Sequence, residues 1–131
     1  MNPDIHTIVP EIFAGLEDAW NHADGARWGE AFSEDADFVN VQGLHFRGAA
    51  AVAAGHQRIL DSIYLDSKVR YSVVSSALIA DRCLLGIVEA RLDVPAGPLQ
   101  GSHPATITAV VVDAGDGVWK VRSFHNTLVT G

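Results

Sequence analysis

The chain has one cysteine, Cys83. That excludes an internal disulfide framework and a zinc site built from cysteines. Basic residues are scarce, with 9 Lys+Arg against 16 Asp+Glu and a formal net charge of −7. Duplex nucleic acid repels such a surface, and no basic cluster offsets the sum, so no nucleic-acid partner is expected. No apolar run reaches the length of a membrane span. Asp4, Pro10, Glu11 and Asp18 interrupt the N-terminal stretch, so no signal peptide is expected. There is no Gly-x-Gly-x-x-Gly turn, no Gly-x-Ser-x-Gly elbow, and no His-x-His or His-Glu-x-x-His spacing among the 6 histidines. These absences lead to the expectation of a soluble, acidic, cytoplasmic protein that needs neither nicotinamide nor metal.

What is present is apolar. Hydrophobic residues make up 48% of 131 positions. That is enough to bury a real core and rules out whole-chain disorder, and the length is that of a single domain, 1–131.

The periodicity changes once along the chain. Ile5, Ile8, Val9, Ile12, Phe13, Leu16 and Trp20 recur at spacings of three and four, the mark of an amphipathic helix. Pro10 suits a helix start, so regular helix is expected only from near that residue. Asp24 can cap a short second helix carrying Ala26, Trp28, Ala31 and Phe32. Ser33–Asp35 reads as a turn, 36–42 as a strand, and His45–Arg47 as a short strand pairing back. A third helix is predicted over Ala49–Ile63. From Lys68 four β-rich segments follow, 69–80, 83–94, 105–113 and 118–129. Asp81-Arg82 and Asp113–Gly117 are tight reversals, and Pro95–Pro104 is a longer loop. Helices followed by a long meander predict an α+β fold, a curved antiparallel sheet wrapped around the N-terminal helices. Such a cone leaves an open mouth, the natural place for a small-molecule ligand.

Several stretches, taken in order, resemble a known family. They are Trp20-Asn-His-Ala-Asp24, Phe32–Gly43, Phe46-Arg-Gly48 with His56, and Trp119-Lys-Val-Arg-Ser-Phe-His-Asn-Thr127. Together they are similar to SgcJ/EcaC-type proteins of the nuclear transport factor 2-like (SnoaL-like) superfamily, which also holds ketosteroid isomerase. The resemblance implies a cone-shaped α+β barrel, a homodimer, and one internal pocket used in natural-product pathways. The isomerase mechanism does not carry over. Its catalytic carboxylate would fall at Asn40, its phenolic donor near Leu16 and its carboxylic acid donor near Thr108.

Strand parity selects the candidate site residues. Trp119, Val121, Ser123, His125 and Thr127 share one face of the last strand, and Lys120 and Arg122 on the other want water. His125 is therefore expected inside the cone, as an acid–base group or as a hydrogen-bonded core histidine. Asn126 then faces outward unless a bulge turns it in. Asn40 either orients a substrate carbonyl through its amide or satisfies a strand end. His56 falls between Val52 and Leu60 on the apolar face of the third helix, as a pocket group or a core hydrogen-bonder. Trp20, Trp28, Phe38, Gln42, Arg91, Thr108, Trp119 and Asn126 complete the expected ligand-binding set. His103, between Ser102 and Pro104, either lines the mouth or reads as solvent-exposed loop. The chemistry these groups allow without a cofactor is isomerisation, cyclisation or dehydration of a carbonyl metabolite. The rival reading is a non-catalytic ligand-binding or oligomerisation module, like the association domain of calcium/calmodulin-dependent kinase, which has the same superfamily fold.

Overall fold

The computed structural model describes residues 4–130. Helix α1 spans Ile5–Asn21 and starts five residues before Pro10. Asp4 makes that start possible, because its side chain accepts the His6 N–H at 2.9 Å. Pro10 then forfeits only the bond to the His6 carbonyl and is exposed, so the helix runs through it. The face that carries Ile8, Val9, Phe13, Leu16, Ala19 and Trp20 is buried. Asp24 caps α2 (Gly25–Glu30) by accepting the Arg27 N–H at 3.0 Å. α2 packs tightly on α3 (Ala49–Leu60), and a Cβ added at Gly29 would lie 2.5 Å from the Ala53 Cβ.

Six strands form one curved, unclosed sheet in the order β2-β1-β6-β5-β4-β3. They are β1 (Phe32–Val39), β2 (His45–Arg47), β3 (Lys68–Ala80), β4 (Cys83–Val94), β5 (Gly101–Asp113) and β6 (Trp119–Leu128). The meander from β3 to β6 is antiparallel, whereas β1 runs parallel to β6, so the sheet is mixed rather than wholly antiparallel. β1 begins at Phe32, which corrects the turn expected at Ser33–Asp35. Phe32 is buried and pairs with Val121, and the irregular register before Asp37 absorbs the polar residues. β5 likewise begins inside the expected loop, where Gly101 pairs with Val94. β3 is an edge strand. Its free backbone groups at Val69 and Tyr71 are met by α1, through the Asn21 amide and the Glu17 carboxylate, whose oxygens each accept at 2.8 Å.

One irregularity decides what faces the interior. Val110 pairs with Ser123 and Val111 with Val121, so Arg122 is an extra residue in β6. Up to Val121 the faces alternate as the sequence suggests, and beyond the bulge they exchange. Phe124 becomes buried and His125 exposed. Arg122 itself is held outside, donating to Asp37 at 2.8 Å. Among the described residues no helix is long and apolar enough to cross a membrane.

Candidate functional site

Between the helices and the concave face of the sheet lies a cavity of about 240 Å³. Its inner wall is aromatic, with Trp20, Trp28, Phe38, Phe46, Tyr71 and Phe124. Its outer border includes Gln42, Ile63 and Leu128, all exposed. No Asp, Glu, Lys or Arg is among the residues that line it.

The polar groups of the wall come from three elements. From α3 comes His56, buried one turn after Val52. Its Nδ1 lies 2.8 Å from the Val52 carbonyl oxygen. A carbonyl only accepts, so Nδ1 carries the hydrogen and Nε2 is a lone pair. Burial pulls the His56 pKa down to about 4 from its ordinary 6.5, against the opposing hydrogen bond to Val52. The ring is neutral at physiological pH. From β3 comes Tyr71, whose phenol burial raises above its usual range. The Trp28 indole acts on that hydroxyl in the opposite sense, yet the Trp28 N–H meets no acceptor in hydrogen-bond geometry. From β6 comes Asn126, whose Oδ1 is enclosed without a partner.

Three other polar side chains near the cavity are engaged at least in part. Trp20 Nε1–H donates to Ser67 Oγ at 3.0 Å. Asn40 lines the cavity, but its Oδ1 accepts the Gln42 and Leu44 N–H groups, each at 2.9 Å. Its oxygen closes the β1–β2 loop, and only Nδ2 is left for a ligand. His103 is not free loop. It sits in β5, lines the cavity, and lies 2.6 Å from the Leu99 carbonyl through Nε2.

The structure brings Trp20, Trp28, Phe38, Asn40, Gln42, His56 and Asn126 to this cavity. Four expected members lie elsewhere. His125 is exposed on the opposite face because of the Arg122 bulge. Thr108, its partner in register, is exposed beside it. Arg91 also points outward, paired with Arg70 across β3 and β4. Trp119 faces the core but at the other end of β6, opposite Asp113. Tyr64 and Tyr71 are lining residues that the sequence reading missed, and His103 takes the mouth-lining place that was one of its two readings. Tyr71 alternates with Val69, a signal that parity in β3 offered. Among the described residues no group of three or more His, Cys, Asp or Glu gathers as a metal site.

No family model and no curated protein matches the chain. Solved structures do. An uncharacterized protein with a cystatin-like fold from Caulobacter vibrioides is 27% identical, with TM-score 0.87, covering 98% of this chain and 92% of its own. An NTF-2 like protein of unknown function from Shewanella oneidensis is 14% identical, with TM-score 0.77 and coverage of 91% and 95%. The hexachlorocyclohexane dehydrochlorinase LinA-type3 from Novosphingobium barchaimii is 12% identical, with TM-score 0.81 and coverage of 93% and 84%. The chain has the cystatin-like, NTF-2-like fold.

Proposed function

We propose that the protein binds a small, uncharged, largely apolar carbonyl metabolite in this cavity and moves a proton on it without a cofactor. Within the superfamily this is the SgcJ/EcaC-type reading, with isomerisation, cyclisation or dehydration as the reaction class and a natural-product intermediate as the substrate class. The observation that carries it is His56, a neutral imidazole whose Nε2 lone pair has no protein partner and belongs to the wall of an apolar cavity. His56 takes the role that the sequence assigned to His125. Asn126 holds the carbonyl or hydroxyl of the ligand, and the Asn40 Nδ2 assists. The dehydrochlorinase of the same fold removes the elements of an acid from an apolar molecule, which supports this container for such chemistry.

A second reading rests on the same residue. A pKa near 4 makes His56 fully available at neutral pH but weakly basic. Only an acidic C–H or O–H is then within its reach, and a binding protein without turnover needs no more than this.

Proton exchange separates the two readings without knowledge of the natural substrate. 2-Tetralone has acidic α-hydrogens and the size of a two-ring metabolite. In D₂O the protein should accelerate their exchange, read by NMR, and His56→Leu should abolish the acceleration. Binding without exchange selects the non-catalytic reading, and no binding of any neutral two-ring compound sinks both.

A further inference from the structure

Folded proteins leave few buried polar groups unpaired, and each one costs about 1–3 kcal/mol. Here two such atoms belong to side chains lining one cavity. Trp28 Nε1–H is a donor with no acceptor, and Asn126 Oδ1 is an acceptor with no donor. His56 Nε2 has no partner either but is not enclosed like them, and it is an acceptor by elimination, since the Val52 carbonyl fixes the hydrogen on Nδ1. The neighbouring polar side chains behave differently. Trp20 and Asn40 are spent on Ser67 and on the β1–β2 loop.

The roles of these atoms are not interchangeable. His56 Nε2 only accepts while neutral, and the Val52 bond holds the ring in that tautomer. Rotation of the ring is opposed by its stacking on Trp28, with ring centroids 3.8 Å apart. The Trp28 N–H only donates. Asn126 is adaptable, because its amide presents an oxygen or an NH₂ according to its rotation. The aromatic walls favour a flat ligand body. A charged ligand would find no counter-ion in the lining and would pay a desolvation cost that nothing repays.

From these atoms we infer that the cavity selects a neutral, flat molecule bearing both a hydrogen-bond donor, for His56 Nε2, and an acceptor, for the Asn126 NH₂ group. Lactams, enolised diketones and hydroxy-ketones satisfy this description. The inference rests on the reading of the cavity as a ligand site and adds the polarity that the ligand must have. It does not depend on turnover.

The test uses three probes of one shape and calorimetric titration of the full chain. 2-Quinolone is neutral and carries a ring N–H beside a carbonyl. Coumarin is its near-isostere with an oxygen in place of that N–H, so only the donor is lost. Quinoline-2-carboxylate adds a charge. The expected order is 2-quinolone at least tenfold tighter than coumarin, and the carboxylate weakest. In His56→Phe, which keeps an aromatic ring on Trp28, the preference for 2-quinolone over coumarin should vanish. Equal affinities in the wild-type chain overturn the inference while leaving the cavity a ligand site. Preference for the carboxylate overturns it as well. Failure of all three probes to bind at millimolar concentration overturns both the inference and the ligand-site reading. The wild-type comparison decides the matter even if His56→Phe does not fold.

Discussion

His56 lies face to face on Trp28, with ring centroids 3.8 Å apart and planes inclined by 17°. Phe38 meets the same imidazole edge-on at 4.9 Å, and Trp20 does so at 6.0 Å. An imidazolium in that nest would gain cation–π attraction but lose its hydration, and the second term is larger. Burial accordingly pulls the His56 pKa down to about 4, against the opposing hydrogen bond to Val52.

The first expected outcome concerns pH. The folded pKa of His56 lies below the ordinary 6.5, at about 4. Between those values the unfolded chain binds a proton that the folded chain refuses. Stability is therefore complete above pH 6.5 and falls as pH drops toward 4. The loss across the window is on the order of 3 kcal/mol. The Asp37 carboxyl, held below its ordinary 3.8 chiefly by Arg122 and then by His45, titrates below that window and does not confuse it. Urea unfolding of the wild-type chain and His56→Phe at a series of pH values checks this. A slope unchanged by the substitution would show that some other group titrates.

The second concerns the two neighbours His125 and Asn126. His125→Ala should leave the affinity for a cavity ligand such as 2-quinolone unchanged, because its side chain faces away from the cavity. Asn126→Ala should lower it by about tenfold, the effect of one lost hydrogen bond to a buried partner. Titration of both variants against the same ligand reads the difference. The reverse result would mean that β6 keeps its simple alternation through Arg122.

That pair also marks where the sequence stops being legible. Strand parity is a reliable ruler only within an unbroken ladder, and a one-residue bulge inverts every face beyond it. Nothing in Val121-Arg122-Ser123 announces the bulge. At the bulge Arg122 pairs with Asp37 on β1, a contact between strands far apart in sequence. The same limit explains the late placing of β1, since the buried pairing of Phe32 with Val121 is also non-local. By contrast the buried face of α1, the Asp24 cap, the β3–β4 reversal and the inward direction of His56 depend on local periodicity and capping, and these are readable, although the start of α1 is not. The cavity as a container was legible from the element order. Which polar atoms are left unpaired within it was not, because that depends on which neighbours Trp20 and Asn40 find.

The third expectation tests the helix pair beneath the cavity. A methyl at Gly29 would sit 2.5 Å from the Ala53 Cβ and 2.9 Å from its Cα. α2 and α3 must then separate, carrying Trp28 away from His56. Overpacking of this kind typically costs about 1–3 kcal/mol. Gly29→Ala should therefore lower the melting temperature, whereas Gly15→Ala on α1, with nothing within 4 Å, should not. Differential scanning of the two variants side by side is the check, and equal melting temperatures would refute the close approach.

The last expectation concerns the other face of the sheet. The helices pack on the concave side with Leu84, Val88, Ile107 and Val111. On the convex side Leu85, Ile87, Val110 and Val112 are only partly covered, and Thr106 and Thr108 between them are exposed. Short β-branched and aliphatic side chains on a broad strand surface suit contact with an identical surface, and a two-fold pairing makes each patch its own complement. We expect a homodimer through this face, in line with the homodimer that the family resemblance implies. Light scattering at micromolar concentration should return about twice the 14.0 kDa chain mass. Thr108 lies opposite Ile87 on one side and His125 on the other, in the middle of the patch. Thr108→Arg would place a charge against its own symmetry mate there, and such a burial is not repaid. The variant should scatter as a monomer while keeping its affinity for 2-quinolone, since Thr108 points away from the cavity. A wild-type particle of single-chain mass would remove the dimer. A variant that stays dimeric would move the interface to another face.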